Sequence, residues 1–394
     1  MENALNFGGM ENKFWGGNRF MRMMHIADLH LDSAFSGFER SRAEEKREEL
    51  RSCFVNAMNI AREREVDLVL IPGDLFDTPF CTLATRKRAF EAMANVGCPV
   101  IIAPGNHDYY NKNGTYADES LPENVHVFTS CELGRFDFDE IGVSVIGYAF
   151  TSDGYEENPL AAEIPLSSEN INILCAHTEL NAPLSKYAPM SQSTIAQNGF
   201  AYAALGHVHI APEPIRVGKT LIAYSGFAQG RSFDELGEGG AYIVDIDRES
   251  KEAILTRVNL SKTVFRAERV DITGISSDID AAKRIEALIS NKGYGDDVAL
   301  RVYLVGAITS EYNLNLVKIA SAPELAKVGL LQVKNESVAN YDLDHLKNDM
   351  TVKGEVYRKL LPMLESSDSQ ERQRAALALK FALAALDKRE LFVD

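Results

Sequence analysis

Short apolar runs that stop abruptly at polar residues set the rhythm of the first hundred residues. The run Phe20-Met-Arg-Met-Met-His-Ile-Ala27 predicts a strand that ends at Asp28-Leu29-His30. In the charged stretch that follows, Leu50, Phe54, Ala57, Met58 and Ala61 recur at helical spacing, which predicts a helix with one buried face. Leu68-Val-Leu-Ile71 is too short for a helix and is bounded by Pro72-Gly73, so it reads as a strand buried on both faces, and it delivers Asp74. A second helical pattern over 83–95 leads through Gly97 and Pro99 to Val100-Ile-Ile-Ala103, which stops at Pro104-Gly-Asn-His-Asp108. Strand, helix, strand, helix, strand predicts a layered, right-handed α/β unit, with polar strand ends at the edge where open α/β sheets place ligands.

Beyond Asp108 the pattern changes. Phe136-Asp-Phe-Asp and Val143-Ser-Val-Ile-Gly, with no helical stretch between them, predict hairpin strands. Ile171-Asn-Ile-Leu-Cys-Ala176 predicts a strand ending in His177, and Tyr202-Ala-Ala-Leu205 one ending in Gly206-His-Val-His209. Apolar runs over 221–224, 241–246 and 253–258 complete a β-rich second half. The simplest architecture is α/β: a two-sheet sandwich flanked by helices.

Four segments are expected. Residues 1–20 form a loose Gly- and Asn-rich extension, and 21–262 form the main domain. Residues 263–340 form a small α+β domain with a helix over 278–291, and 341–394 a charged helical region. In that last region Ala375, Ala376, Leu379, Phe381, Leu383 and Leu386 make a wide apolar face. No apolar run approaches the roughly 18 residues that cross a bilayer, and the first twenty residues lack a basic stretch followed by an apolar core. A cytoplasmic protein with no membrane contact is expected. Five cysteines without CxxC spacing fit reduced thiols. The net charge of −16 argues against a generally basic surface that coats nucleic acid. A polyanionic substrate would therefore need a local reversal of sign, which bound divalent cations supply.

Chemistry gathers at the strand ends: Asp28 and His30, Asp74, Asn106 with His107, His177, and His207 with His209. Five of the eight histidines lie at these matching positions. His25, His126 and His345 are read as structural, the ordinary state of a lone histidine. Asp-x-His and His-x-His are informative spacings, because residues i and i+2 of an extended chain project to the same side and grip one region together. Imidazole, carboxylate and amide ligands in combination suit Mn, Fe or Zn better than Mg or Ca. These groups are too many for one tetrahedral ion and fit two divalent ions that share a bridging carboxylate.

Asp28-x-His30, Gly73-Asp74, Gly105-Asn-His-Asp108, His177 and Gly206-His-x-His209 together resemble the motif series of the calcineurin-like metallophosphoesterase superfamily. Asp28-Leu-His-Leu-Asp-Ser33, Gly73-Asp-Leu-Phe-Asp77 and Phe227-Ala-Gln-Gly-Arg-Ser-Phe233 resemble its DNA repair exonuclease branch, the SbcD and YhaO type. The resemblance implies a dinuclear site in which Asp28, His30, Asp74 and His209 hold one metal, and Asp74, Asn106, His177 and His207 the other. A hydroxide between the metals, Mn2+ by expectation, would attack phosphorus. His107 would serve the leaving oxygen and Asp108 would orient His107. It further implies DNA as substrate, a small domain that caps the site and guides DNA, an SbcC-like coiled-coil ATPase docked on the C-terminal helices, and a homodimer.

Archaeal and eukaryotic members of the branch carry a second histidine where this chain has Asp77, which can accept a proton but does not readily donate one at neutral pH. Bacterial members share the aspartate. Arg231 offers a fork of donors for a phosphate, or caps a turn. The alternative to a DNA nuclease is a phosphatase or cyclic-nucleotide phosphodiesterase that uses the same metals on a small substrate. A non-catalytic scaffold would show degraded ligand positions, and none is degraded.

Overall fold

A computed structural model describes residues 19–36, 39–161, 166–309, 312–341 and 343–387. The expected extension over 1–20 falls outside them except for its last two residues. The chain divides into two compact units, Met1–Val264 and Phe265–Asp394.

In the first unit the strands are β1 (Phe20–His25), β2 (Leu68–Ile71), β3 (Val100–Ile102), β4 (Val125–Val127), β5 (Gly134–Phe138), β6 (Val143–Gly147), β7 (Ile171–His177), β8 (Tyr202–Gly206), β9 (Ile215–Val217), β10 (Thr220–Tyr224), β11 (Gly240–Asp247) and β12 (Ala253–Asn259). The helices are α1 (Arg40–Glu63), α2 (Leu83–Ala94) and the short α3 (Gln192–Gln197). One six-stranded sheet has the order β12-β11-β1-β2-β3-β4, the other β5-β6-β7-β8-β10-β9. This is the two-sheet α/β sandwich that the apolar pattern predicts.

Strand alternation explains why the central runs are apolar throughout. Met23, Leu68, Leu70 and Ile101 face the second sheet, where they meet Val145, Ile173, Cys175, Tyr202 and Ala204. Their neighbours Met24, Val69, Ile71, Val100 and Ile102 point the other way, onto Leu50, Phe54, Ala57 and Met58 of α1 and Phe90 and Met93 of α2. A strand between two apolar layers has no polar face to show.

The first sheet is parallel from β1 to β4, so β1, β2 and β3 all end at one edge. In the second sheet β5 and β6 form the expected antiparallel hairpin. The strands β6, β7, β8 and β10, however, are parallel, which the absence of long helical patterns does not suggest. Their outer face is covered instead by irregular segments, with Tyr148, Phe150, Leu160, Met190 and Phe200 packing where a crossover helix usually lies.

The second unit holds β13 (Val264–Asp271), β14 (Val298–Val305), β15 (Ala307–Thr309), β16 (Leu330–Asn335) and β17 (Val338–Asn340), with helices α4 (Asp278–Lys292), α5 (Leu316–Ala320), α6 (Leu343–Asn348), α7 (Val352–Leu364) and α8 (Ser369–Leu386). Its sheet β13-β14-β16 packs Leu300, Val302 and Leu304 on Ile285 and Ile289 of α4. On α8, Ala375, Leu379 and Leu383 are buried and Leu379 and Leu383 pack with Tyr357 of α7, while Leu377 and Leu386 stay exposed. The helical pair thus uses part of the predicted apolar face internally. No helix among the described residues is long and apolar enough to cross a membrane.

Candidate metal centre

The side chains singled out from the sequence lie at the carboxyl ends of parallel strands. Asp28 and His30 follow β1, Asp74 follows β2, Asn106 and His107 follow β3, His177 ends β7, and His207 and His209 follow β8. The loops after β1 and β2 stay paired beyond the sheet: the His30 N–H donates to the Asp74 carbonyl at 2.9 Å and the Leu31 N–H to that of Leu75 at 2.9 Å. Close packing here demands glycine. A Cβ on Gly105 would strike the Asp74 carboxylate, and one on Gly206 the Pro72 carbonyl.

Four candidate ligands occupy the left-handed backbone region: Asp28 (φ 53°), His30 (φ 46°), Asp74 (φ 52°) and His207 (φ 104°). Asp and His enter it more readily than most residues, yet each such position costs about 1 kcal/mol or more. The surrounding loops hold them there.

Asp74 is at the centre. Its Oδ1 accepts the His107 N–H at 3.0 Å, and its Oδ2 lies 3.5 Å from His30 Nε2 and 3.5 Å from His177 Nε2. A carboxylate oxygen equidistant from two imidazole nitrogens is placed as a bridge requires. On one side, His30 Nε2 and His209 Nε2 are 3.2 Å apart, and ligand atoms of Asp28, His30 and His209 all lie within 4.8 Å of one another. On the other, His177 Nε2 is 3.0 Å from Asn106 Oδ1, and Asp28, Asp74 and His177 converge in the same way. His207 stands at the edge: its backbone N–H donates to Asp28 Oδ1 at 3.0 Å, its ring centroid is 5.1 Å from that of His177, and the Tyr187 ring packs on it at 4.3 Å.

The donor set fits divalent cations. His177 Nδ1 faces the Pro72 carbonyl at 3.1 Å and must donate to it, which turns the Nε2 lone pair toward the Asn106 oxygen. Likewise, His209 Nδ1 donates to Glu235 Oε1 at 2.8 Å, so its Nε2 offers a lone pair toward His30. With the His30 ring protonated on Nδ1, all of these atoms present lone pairs to a common point, the arrangement that a divalent cation takes. Metal-free, burial raises the Asp28 carboxyl to about 6, and burial together with the nearby Asp108 charge raises that of Asp74.

These shifts predict a pH dependence. A carboxyl whose pKa is higher folded than unfolded stabilises the fold below its unfolded value, near 3.9, and loses that contribution as pH rises through the folded value. In EDTA, wild type should therefore lose stability relative to Asp28→Asn between about pH 4 and pH 7, read from urea midpoints. Parallel curves for the two proteins over that range would count against the assignment.

Asp108 departs from expectation. Instead of orienting the His107 ring, the buried carboxylate accepts backbone N–H groups from Gly105 (2.7 Å), Asp74 (3.1 Å), Leu75 (2.8 Å) and Phe76 (3.2 Å), and the Tyr116 hydroxyl at 2.5 Å. The His107 ring is exposed at the edge of the site, with Nδ1 3.4 Å from the Asp77 carbonyl and its ring centroid 4.7 Å from that of His30. Arg231 also differs, since its guanidinium donates to Glu235 (Nη2–Oε1, 2.6 Å; Nε–Oε1, 3.0 Å) and to Ser33 Oγ at 3.2 Å, and so does not present a free fork to a phosphate. Asp77 receives the Ser33 hydroxyl at 3.1 Å and lies 3.3 Å from His30 Nδ1. That approach is close enough for attraction but is not aligned as a hydrogen bond, and His30 Nδ1 has no hydrogen-bond partner. Glu235 is the residue that sequence reasoning missed. Its one legible trace is the spacing Arg231-x-x-x-Glu235. His25 is a satisfied core histidine, bonded to Tyr202 Oη and the Leu205 carbonyl.

Comparison with known proteins agrees with this geometry. Residues 21–211 match the family described as calcineurin-like phosphoesterase. The chain is 28% identical over 279 residues to the uncharacterized metallophosphoesterase YhaO of Bacillus subtilis, covering 68% of this chain and 65% of that protein. It is 27% identical over 280 residues to the DNA double-strand break repair protein Mre11 of Aeropyrum pernix, covering 67% and 66%. With the SbcD subunit of the SbcCD nuclease of Bacillus subtilis it shares 23% identity over 283 residues, covering 61% and 70%. The chain thus spans just under two thirds of the length of the first two. Residues 21–211, with their convergent carboxylates and imidazoles, form a calcineurin-like phosphoesterase domain.

Proposed function

We propose that this chain is a metal-dependent DNA nuclease of the cytoplasm, an exonuclease of DNA repair that uses two divalent cations, with Mn2+ the expected pair. The observation that carries the dinuclear reading is Asp74 Oδ2, 3.5 Å from both His30 Nε2 and His177 Nε2. The choice of DNA is supported by relatives named as a double-strand break repair protein and as part of a nuclease. On the same likeness, an SbcC-like ATPase is the proposed partner, and the exposed Leu377 and Leu386 of α8 suit its docking. DNA guidance falls to the α+β part of the second unit, and a second copy of the chain is a further expected partner.

Two bound cations would neutralise charge on the scissile phosphate and make water a better nucleophile. The chain's own residues do the rest. Asp28, His30, Asp74, Asn106, His177, His207 and His209 hold the cations. His107, exposed at the mouth, gives its Nε2 proton to the leaving oxygen and is left as the Nδ1–H tautomer, which the Asp77 carbonyl holds at 3.4 Å.

The test is Mn2+-loaded protein on end-labelled linear DNA, with an EDTA control. Hydrolysis of nucleotides or simple phosphate esters with single- and double-stranded DNA left intact would favour the small-substrate phosphatase or phosphodiesterase instead. His107→Ala should lower turnover about 10²- to 10⁴-fold while two metals still bind. A ligand atom of His107 comes within 4.8 Å of those of His30 and Asp74, so loss of one metal equivalent in this variant would make His107 a ligand rather than the proton donor.

A further inference from the structure

The two histidines whose Nε2 atoms meet at 3.2 Å, His30 and His209, both turn their outer nitrogens toward carboxylates, and those carboxylates share one arginine. His209 Nδ1 bonds to Glu235 Oε1 at 2.8 Å. The same oxygen receives Arg231 Nη2 at 2.6 Å, and Glu235 Oε2 receives the Arg231 backbone N–H at 2.7 Å. From the other end of the guanidinium, Nη1 reaches Ser33 Oγ at 3.2 Å and lies 3.6 Å from Asp77 Oδ1. Asp77 Oδ1 in turn takes the Ser33 hydroxyl at 3.1 Å and lies 3.3 Å from His30 Nδ1. A ring of contacts results: His30, Asp77 with Ser33, Arg231, Glu235, His209, in which the His30–Asp77 approach is electrostatic rather than a hydrogen bond.

Burial and charge agree with a fixed frame. Glu235 is 4% exposed, and a carboxylate so placed needs a cation beside it. Although burial works against its charge, the bonds from His209 and Arg231 hold its carboxyl down at about 2. Arg231 gives Nε and Nη2 to Glu235 and Nη1 to Ser33, so its donors are committed within the protein.

We propose that Arg231 and Glu235, with Asp77, are positioning residues that aim His30 and His209 at a single metal position, and that this ring sets the affinity of that one metal without touching substrate. The inference rests on the dinuclear reading of the site. Histidine ligands are commonly oriented by a carboxylate on the far nitrogen, and loss of that partner weakens metal binding about 10- to 100-fold. Only the position held by Asp28, His30 and His209 has the ring behind it. The other position relies on the Pro72 carbonyl behind His177. The two affinities should therefore separate when the ring is cut.

The test is Mn2+ binding by calorimetry and electron paramagnetic resonance on the full-length protein without DNA, for wild type, Glu235→Gln and Arg231→Lys. Wild type should bind two ions. Fewer than two would fail the dinuclear reading itself and be recognised as such before any variant is compared. Glu235→Gln should keep one affinity and weaken the other about 10- to 100-fold, so that at limiting Mn2+ a spin-coupled pair signal gives way to that of an isolated ion. Arg231→Lys keeps the charge but loses the fork, and should weaken the same position by a smaller factor; it decides the matter if Glu235→Gln does not fold. At saturating Mn2+ both variants should recover turnover with an unchanged KM for DNA. Two wild-type affinities in both variants, an equal fall in both affinities, or a KM that stays raised at saturating metal would each overturn the proposal.

Discussion

Asp74→Asn is expected to reduce metal-dependent turnover by about 10³-fold or more while the protein remains folded. The substitution is nearly isosteric. An amide oxygen can still accept the His107 N–H that Asp74 Oδ1 receives at 3.0 Å, so the loop after β3 keeps its anchor. What changes is the atom between the two imidazoles. Oδ2, now 3.5 Å from His30 Nε2 and from His177 Nε2, becomes part of a neutral amide, and under the proposed two-cation reading both cations would lose an anionic ligand. Cations contribute several kcal/mol of transition-state stabilisation, and each 1.36 kcal/mol is tenfold in rate, hence the size of the effect. In EDTA the sign on stability reverses. Burial and the Asp108 charge disfavour ionised Asp74, so at pH 8 metal-free Asp74→Asn should be at least as stable as wild type. Turnover with Mn2+ and the urea midpoint in EDTA are the two readings. Activity within tenfold of wild type would remove Asp74 from the centre of the site.

Asp108→Ala should do the opposite, unfolding the site before any question of chemistry arises. Five donors converge on this one buried carboxylate, four of them backbone N–H groups at the turns after β2 and β3. Alanine leaves all five without an acceptor. One stranded buried donor costs about 1–3 kcal/mol, partly relieved where water enters, so a loss of about 3–5 kcal/mol is expected. The fall should appear in the urea midpoint with and without Mn2+, with metal binding lost as a consequence. His107→Ala, one residue away, should leave the midpoint nearly unchanged. An unaltered midpoint for Asp108→Ala would refute the anchor role.

The contrast between these neighbours shows where sequence reading succeeds and where it stops. Leu68–Ile71 and Val100–Ile102 are legible because a strand buried on both faces must be apolar throughout, and the first polar residues beyond such strands are candidate ligands. Asp74, Asn106 and His177 were found that way. Adjacency in Gly105-Asn-His-Asp108 suggested that Asp108 serves His107. The chain bends at these residues, however, and adjacency does not carry contact: His107 stands exposed at the edge of the site while Asp108 is buried. The partners of Asp108 lie 32 to 34 residues earlier, apart from Gly105 and Tyr116, and no local pattern announces them. Glu235 was invisible for a related reason: it sits in an irregular loop where no period distinguishes a buried carboxylate from a solvated one. The parallel order of β6, β7 and β8 is hidden because long irregular segments carry the crossovers, with only the six-residue α3 between β7 and β8.

The left-handed backbone at Asp28, His30, Asp74 and His207 bears on how such a domain would age if catalysis were no longer under selection. Glycine relieves each of these positions, and at Asp28 and Asp74 it would also remove a buried carboxyl. A descendant that kept the sandwich only as a platform would gain stability by shedding these residues, so drift would erase the ligand set early and leave the apolar strands intact. The presence of all four is what continued selection for a bound metal would leave.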